Sequence, residues 1–184
     1  MTLILASASP SRAALLTAAG VAFESRPSDF DEESLGDSPP FEFVYRAATG
    51  KAANAIARFG EARSIIAADT AVCVQNRLLR KARDREDAKE KLLLQSGNDV
   101  SIVTCSVFHS PSKELIDISQ TRYQFARFDE ADLERYLDDG DWRGKAGAIM
   151  VESFAKPYII SRSGYTSCAM GLTIEVVLPF ITRR

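Results

Sequence analysis

Ser7, Ser9 and Arg12 stand close together in Leu-Ala-Ser-Ala-Ser-Pro-Ser-Arg, residues 5–12, where an apolar run gives way to small hydroxyl residues, a proline and an arginine. Leu3 to Ala6 reads as a strand buried on both faces, and Ser9 as the N-cap of a helix with Pro10 at its first position. A strand ending just before a helix N-terminus gathers free backbone N–H groups and the positive end of the helix dipole, an arrangement that binds phosphate. Ser7 and Ser9 would add hydroxyls, and Arg12 could fork two phosphate oxygens. The alternative is that Ser9 only caps the helix and Arg12 is solvated. The glycines and the G-K-[ST] of a P-loop are absent.

Asp69, in Ala-Ala-Asp-Thr, reads as the end of a second buried strand, Ser64 to Ala68, the place where ligands collect in open α/β sheets. An enclosed carboxylate implies a cation, a metal or a water to activate, and Ala67-Ala68 leave room for a ligand; the other reading is an Asx turn with Thr70 as its neighbour. Lys51 falls within the apolar helical face formed by Val44, Ala48, Ala52, Ala55 and Phe59, whereas Arg46 projects to the solvated side. A lysine on such a face either snorkels outward or points into a cleft toward a partner charge. Arg80, Lys81 and Arg83 form a basic cluster of the kind that is usually a solvated charge run. Asp31, Glu32 and Glu33 form an acidic group suited to Mg²⁺, and Glu32 is taken as a metal ligand beside Asp69. Lys145 and Glu152 share the stretch Trp142 to Ser153, in which Glu152 could face a base edge or solvent. His109 is the one histidine, at the end of a β-like run with no acid beside it. Proton transfer is therefore expected of a carboxylate or a metal-bound water rather than of a histidine pair. Together these groups form the kit for a nucleoside triphosphate with a divalent metal.

The elements that must position them alternate between strand and helix, which indicates an α/β fold with a mixed sheet. A helix is expected through residues 11–19, stopping at Gly20, then a short strand Val21 to Arg26 and a longer helix Pro40 to Phe59 ending at Gly60. Ser64 to Ala68 is followed by a separate ribbon turning at Gln75-Asn76, then a helix Asp84 to Gln95 with Asp84 as its cap. Two long strands, Val100 to Phe108 and Leu115 to Phe128, form a hairpin that argues against a purely parallel sheet. A helix from Asp129 to Asp139 closed by Gly140, a strand near Tyr158 to Ser161 and a final helix complete the chain. Ser34 to Pro40 is the one linker-like stretch.

The chain has 184 residues, 46% of them hydrophobic, enough for a sizeable core in one domain or two small lobes. Its net charge of −2, from 23 basic and 25 acidic residues, gives no global attraction to nucleic acid or an anionic membrane. No apolar run approaches the roughly 20 residues of a membrane span. The three cysteines, Cys73, Cys105 and Cys168, are odd in number and have no C-x-x-C spacing, so they are expected as small buried hydrophobes in a reducing, cytoplasmic compartment.

The order of motifs resembles the Maf family, which has the Maf/HAM1-like fold. The resemblance covers nearly the whole chain and rests on LASASPSR, GKA after a helix, AADT, the ribbon followed by RKARDREDAKEKL, LQSG, RYLDDGDWRGKAGA and a final MGLT. It implies a single Maf-like domain over residues 1–184, an elongated mixed sheet with flanking helices, and two lobes around a central cleft. It implies a nucleoside triphosphate pyrophosphatase that splits the α–β phosphate bond with Mg²⁺ or Mn²⁺, and a link to septum formation. Asp69 takes the family's catalytic position; Ser7, Ser9, Arg12, Lys51 and Lys81 take phosphate-binding positions, and Ser11, Thr70 and Glu152 take specificity positions. The implied partner is a nucleoside triphosphate, with no nucleic acid or membrane, and a homodimer is left open. Relatives of the dTTP/UTP type have a second arginine at Ser11 and glutamine at Glu152; those of the 7-methyl-GTP type have tryptophan, glutamine and glutamate at the three positions. Ser11 matches neither, Thr70 the first and Glu152 the second, and Ala82 replaces the usual proline. A carboxylate only accepts, so Glu152 suits a donor edge such as guanine N1–H and N2–H₂. The alternative is a nucleotide-binding regulator of division without turnover.

Overall fold

A computed structural model describes residues 2–36 and 38–182 of the chain. Asp37, inside the linker-like stretch, lies outside the described residues. At the amino end, β1 (Leu3–Leu5) is buried on both faces, and its chain turns at once into α1 (Pro10–Ala18). Ser9 caps this helix as its sequence predicts, its Oγ accepting from the Arg12 N–H at 3.5 Å. β2 (Phe23–Ser25) follows, then α2 (Pro40–Phe59), opened by proline and closed by Gly60.

The separate strand and ribbon expected after Ser64 are one element. β3 (Ile65–Val74) runs for ten residues before turning back into β4 (Arg77–Leu79). Its continuity comes from β5 (Asp99–Ser110), which pairs with it residue for residue from Ile65↔His109 to Val74↔Val100. Asp69 thus sits in mid-strand opposite Cys105, not at a strand end. Between them lies α3 (Arg85–Gln95), capped by Asp84, whose carboxylate accepts from the Asp87 N–H. β6 (Lys113–Phe125) completes the long hairpin and ends three residues earlier than expected, at a register shift where β7 (Ile159–Ser163) pairs with it. α4 (Glu130–Asp139) is capped by Asp129 and closed by Gly140 in the left-handed region. The chain ends in a short α5 (Thr166–Ala169), absent from the sequence expectation, and α6 (Ile174–Thr182).

Among the described residues the strands form one seven-stranded sheet in the order β2-β1-β3-β5-β6-β7, with β4 on β3. β1 is parallel to both its neighbours, and the other pairings are antiparallel, so the sheet is mixed as expected. Alternation along β3 sends Ile65, Ala67 and Ala71 toward α2, and Ile66 and Ala68 toward Leu16 of α1 and Val177 of α6. Fully buried side chains such as Leu16 and Ile66 each contribute about 1.5–3 kcal/mol. A separate core at the far ends of β3, β5 and β6 holds Leu92 of α3, Leu133 of α4 and Trp142. The two ends make two lobes, and a cleft of about 550 Å³ lies between them.

All three cysteines are free thiols. Cys105 and Cys168 are buried as expected, whereas Cys73 is only half-buried. Burial pushes the Cys105 thiol up to about 12, with Asp117 and Asp69 adding to the effect, so it is inert as a nucleophile at neutral pH. His109 does have an acid beside it: the hairpin brings Glu114 to 3.2 Å from its Nδ1, and its Nε2 lies 3.1 Å from the Glu61 carbonyl. It stands four residues along β5 from the position facing Asp69, roughly 13 Å of strand. No described helix is long and apolar enough to cross a membrane.

Candidate active site

The cleft exists because β3 loses its neighbour on one edge. β1 pairs with it only at Ile65 and Ile66, and β4 begins only at Val72. Residues 67–71 therefore face the loop that leads from β1 into α1 rather than another strand. Within that gap Asp69 points toward α2 and Thr70 toward α1, because successive side chains alternate.

Asp69 is only 4% exposed, which is tolerable for a carboxylate only with a partner. Lys51 supplies it. Its place on the apolar face of α2 is a route inward: the side chain is buried, and Nζ donates to Asp69 Oδ1 at 2.5 Å. The same ammonium lies 2.6 Å from Glu32 Oε1, and Lys81 reaches Glu32 Oε2 at 3.4 Å. Burial pushes the Asp69 carboxyl above its ordinary range, against the pull of Lys51 and Arg12 and with the help of Glu32. Burial also works to raise Glu32, but Lys51 and Lys81 overcome it, and this carboxyl lies below its ordinary range. The two acids are thus pushed apart, as an acid–base site requires.

Of the acidic group at 31–33, Glu32 and Glu33 both line the cleft, and Glu32 is the one that meets Lys51. Asp31 accepts from the Glu33 N–H, and Glu33 is exposed and pairs with Arg80 at 3.2 Å. In the basic cluster, Lys81 and Arg80 turn toward Glu32 and Glu33, whereas Arg83 pairs with Asp87 at the start of α3. Arg46 is an exposed partner of Glu42, as expected.

Arg12 is buried, and three of its nitrogens are occupied. Nε donates to the Gly171 carbonyl at 2.7 Å, one terminal nitrogen to Ser7 Oγ at 2.9 Å and the other to Thr70 Oγ1 at 3.2 Å. Burial lowers its pKa, opposed by Asp69 and Glu32. Ser7 Oγ also accepts from the Ser9 N–H at 3.2 Å, so its own proton is left for a ligand oxygen. Thr70 Oγ1 lies 2.9 Å from Thr104 Oγ1, which donates to the Cys168 carbonyl at 2.7 Å. Because Thr104 gives its one proton to the Cys168 carbonyl, Thr70 must donate to Thr104, and this chain of hydroxyls ties the guanidinium to α5. Neither Thr104 nor the Gly171 carbonyl figured in the sequence reading. A backbone acceptor has no residue signature, although MGLT marks the segment that carries it.

Ser7, Ser9, Ser11, Arg12, Glu32, Lys51, Asp69, Thr70, Lys81 and Glu152 all line the one cleft. Ser11 accepts from Lys145 Nζ at 3.3 Å, across the cleft mouth from the other lobe. Apolar side chains, among them Ile102, Ile149, Met150 and Met170, share the lining with these polar groups. Among the described residues no group of three or more acidic, histidine or cysteine side chains forms a metal cage.

Cations gathered round an enclosed carboxylate in a single cleft define an α/β protein whose site is suited to an anion. The chain belongs to the Maf family, matching Maf-like protein over residues 2–184. It is 49% identical to a nucleoside triphosphate pyrophosphatase of Nitratiruptor over 93% of this chain and 94% of that one. It is 43% identical to the Helicobacter pylori (strain Shi470) protein of the same name, over 97% of this chain and 94% of that one. The Staphylococcus aureus Ham1 structure matches with a TM-score of 0.46 and 19% identity over 68% of this chain and 72% of that one, too distant a likeness to align site residues.

Proposed function

We propose that this chain hydrolyses a nucleoside triphosphate between its α and β phosphates, giving a nucleoside monophosphate and pyrophosphate. The observation that carries the reading is the Asp69–Lys51–Glu32 cluster, an enclosed carboxylate held 2.5 Å from an ammonium at the floor of a cation-lined cleft. The relatives named nucleoside triphosphate pyrophosphatase support the reaction class.

In this reading Arg12, Lys51, Lys81 and the Ser7 and Ser9 hydroxyls hold the polyphosphate, and their charges offset the charge that builds on the phosphoryl oxygens. Asp69 Oδ1 is committed to Lys51, leaving Oδ2 to orient a water and accept its proton. The water oxygen adds to phosphorus, the bond from phosphorus to the α–β bridging oxygen breaks, and that oxygen leaves with its electron pair. Asp69 then returns the proton to solvent or product.

Two carboxylates meeting one ammonium within 2.6 Å form a hard-oxygen donor set that fits Mg²⁺ or Mn²⁺, ions that need only one or two carboxylates when substrate phosphates supply the rest. Asp69 and Glu32 would hold the ion, which would supply charge neutralisation at the phosphates. Ser11, Thr70 and Glu152 would select the base, and Glu152 as an acceptor favours a donor edge of guanine type.

The test is product analysis on a panel of nucleoside triphosphates with Mg²⁺ or Mn²⁺. Monophosphate plus pyrophosphate is the expected result. Diphosphate plus phosphate would overturn the bond assignment, and binding without turnover would make the chain a nucleotide-binding regulator.

A further inference from the structure

The cations of the cleft are not equally available. Lys51 is shared between Asp69 and Glu32, Lys81 reaches Glu32, and Arg80 pairs with Glu33. Arg12 has three nitrogens spent on protein oxygens. Arg143 is exposed and lies over the Trp142 ring, 4.8 Å from its centroid. Lys145 differs from all of these. It is half-buried in the cleft wall, and its ammonium donates to a neutral hydroxyl, Ser11 Oγ at 3.3 Å.

Its backbone is also held in place. Lys145 N–H donates to the Trp142 carbonyl at 3.1 Å, and the next residue, Ala146, forms a bridge with Lys81. Gly147 N–H donates to the Arg80 carbonyl at 3.3 Å, and the fully buried Gln95 donates to the Gly147 carbonyl at 2.8 Å. A half-buried lysine side chain loses part of its hydration, and among the described residues no carboxylate stands beside this ammonium to offset the loss. A fixed, uncompensated cation facing a cleft is a binding group for an anion that comes from outside.

We propose that Lys145 is a phosphate-binding residue of this site, the contribution of the second lobe to the grip on the polyphosphate, with Ser11 holding its ammonium in place until the substrate arrives. The assignment rests on the nucleotide reading above. Among the described residues, Lys145 is the one of these cations that has neither an ion pair nor a stack and only a single hydrogen bond, to a neutral hydroxyl, for substrate to displace, so its charge bears on the incoming phosphates.

The experiment is calorimetric titration with the mono- and diphosphate of one nucleoside and its non-hydrolysable α,β-methylene triphosphate, and with triphosphate analogues of several bases, for the wild type, Lys145→Gln, Lys145→Arg and Ser11→Ala. Loss of one charge-assisted contact predicts that Lys145→Gln weakens triphosphate binding roughly 10–100-fold. The loss should be smaller for the monophosphate, equal across bases and reduced by added salt, with Lys145→Arg restoring most of the affinity. Ser11→Ala should lose less than Lys145→Gln. If Lys145→Gln binds every nucleotide as the wild type does, or if it reorders the bases instead, the phosphate role is wrong. An unchanged urea midpoint for Lys145→Gln keeps a folding defect out of the comparison, and a lowered midpoint with Lys145→Arg failing to restore binding would also count against the role. A wild type that binds no nucleotide at all would overturn the parent reading, an outcome separate from a Lys145→Gln variant that matches a binding-competent wild type.

Discussion

Replacing Lys51 by methionine keeps most of the side-chain length and removes the charge that Asp69 and Glu32 share. The three side chains are 10%, 6% and 25% exposed for Lys51, Asp69 and Glu32. Removing one partner of a buried pair costs about 3–5 kcal/mol, because the other charge is left enclosed. Most of this falls on Asp69, since Glu32 retains some solvent and Lys81. The cost depends on pH. The folded-state pKa of Asp69 is raised by burial, so the stability tied to its protonated form is fully present below the unfolded pKa and lost as pH rises through the folded pKa. Removing Lys51 moves that folded pKa higher still. Glu32 has a depressed folded pKa, so the stability it adds is present above its unfolded pKa and lost as pH falls through the folded one. Both effects make the penalty of Lys51→Met largest near neutrality and smaller in acid. Urea unfolding followed by the fluorescence of Trp142, the single and buried tryptophan, reads this directly. The expected penalty is about 3–5 kcal/mol near neutral pH, falling by half or more at about pH 4.5. A penalty under about 1 kcal/mol near neutrality, or one that does not change with pH, would refute the reasoning.

Asp69→Asn should lower kcat by roughly 10²–10⁴-fold while triphosphate affinity, measured by calorimetry, changes only a few-fold. In the wild type, kcat/KM should rise with pH through a limb above the ordinary aspartate range, because burial raises the carboxyl that must be ionised to take the proton. Lys51→Met should bind Mn²⁺ more tightly than the wild type in the absence of nucleotide, since the ammonium no longer occupies the space between Asp69 and Glu32; equal affinities by electron paramagnetic resonance would remove those two acids as the ligands. Gly147→Ala should cost about 2–4 kcal/mol by calorimetry, because the new Cβ would lie 2.8 Å from Val72 Cβ on a backbone at φ +59.

The helices were legible from their ends. Pro40 and Gly60 bound α2 in the sequence and in the structure, and Ser9, Asp84 and Asp129 cap the helices they were expected to cap. The error at β3 has a physical cause: Asp69 and Thr70 interrupt the apolar pattern, and the pairing that carries the strand past them comes from β5, some thirty residues away. α5 is a single helical turn, too short to show a period. In the site, Lys51 betrayed itself by standing on an apolar face and Asp69 by ending an apolar run, but that the two pair with each other and with Glu32 did not show. Glu32 comes from a loop, and nothing in the pattern at 31–33 distinguishes it from Asp31 and Glu33. The carbonyls of Gly171 and Cys168 that fix Arg12 and Thr104 are invisible to any reading of side-chain types.

The ten unbroken pairs between β3 and β5 also decide how this molecule can move. Both strands pass through the two lobes without interruption, so there is no joint at which one lobe could swing against the other as a separate body. Opening and closing of the cleft are left to the 28–36 stretch that carries Glu32, since the backbone around Lys145 is tied to Trp142, Arg80 and Gln95. The acid that would act on water therefore rides on a continuously paired strand, while Glu32, which shares its lysine, rides on a loop. Amide exchange should show the same division, slow at residues 66–72 and fast at residues 28–36, with a ligand changing the latter.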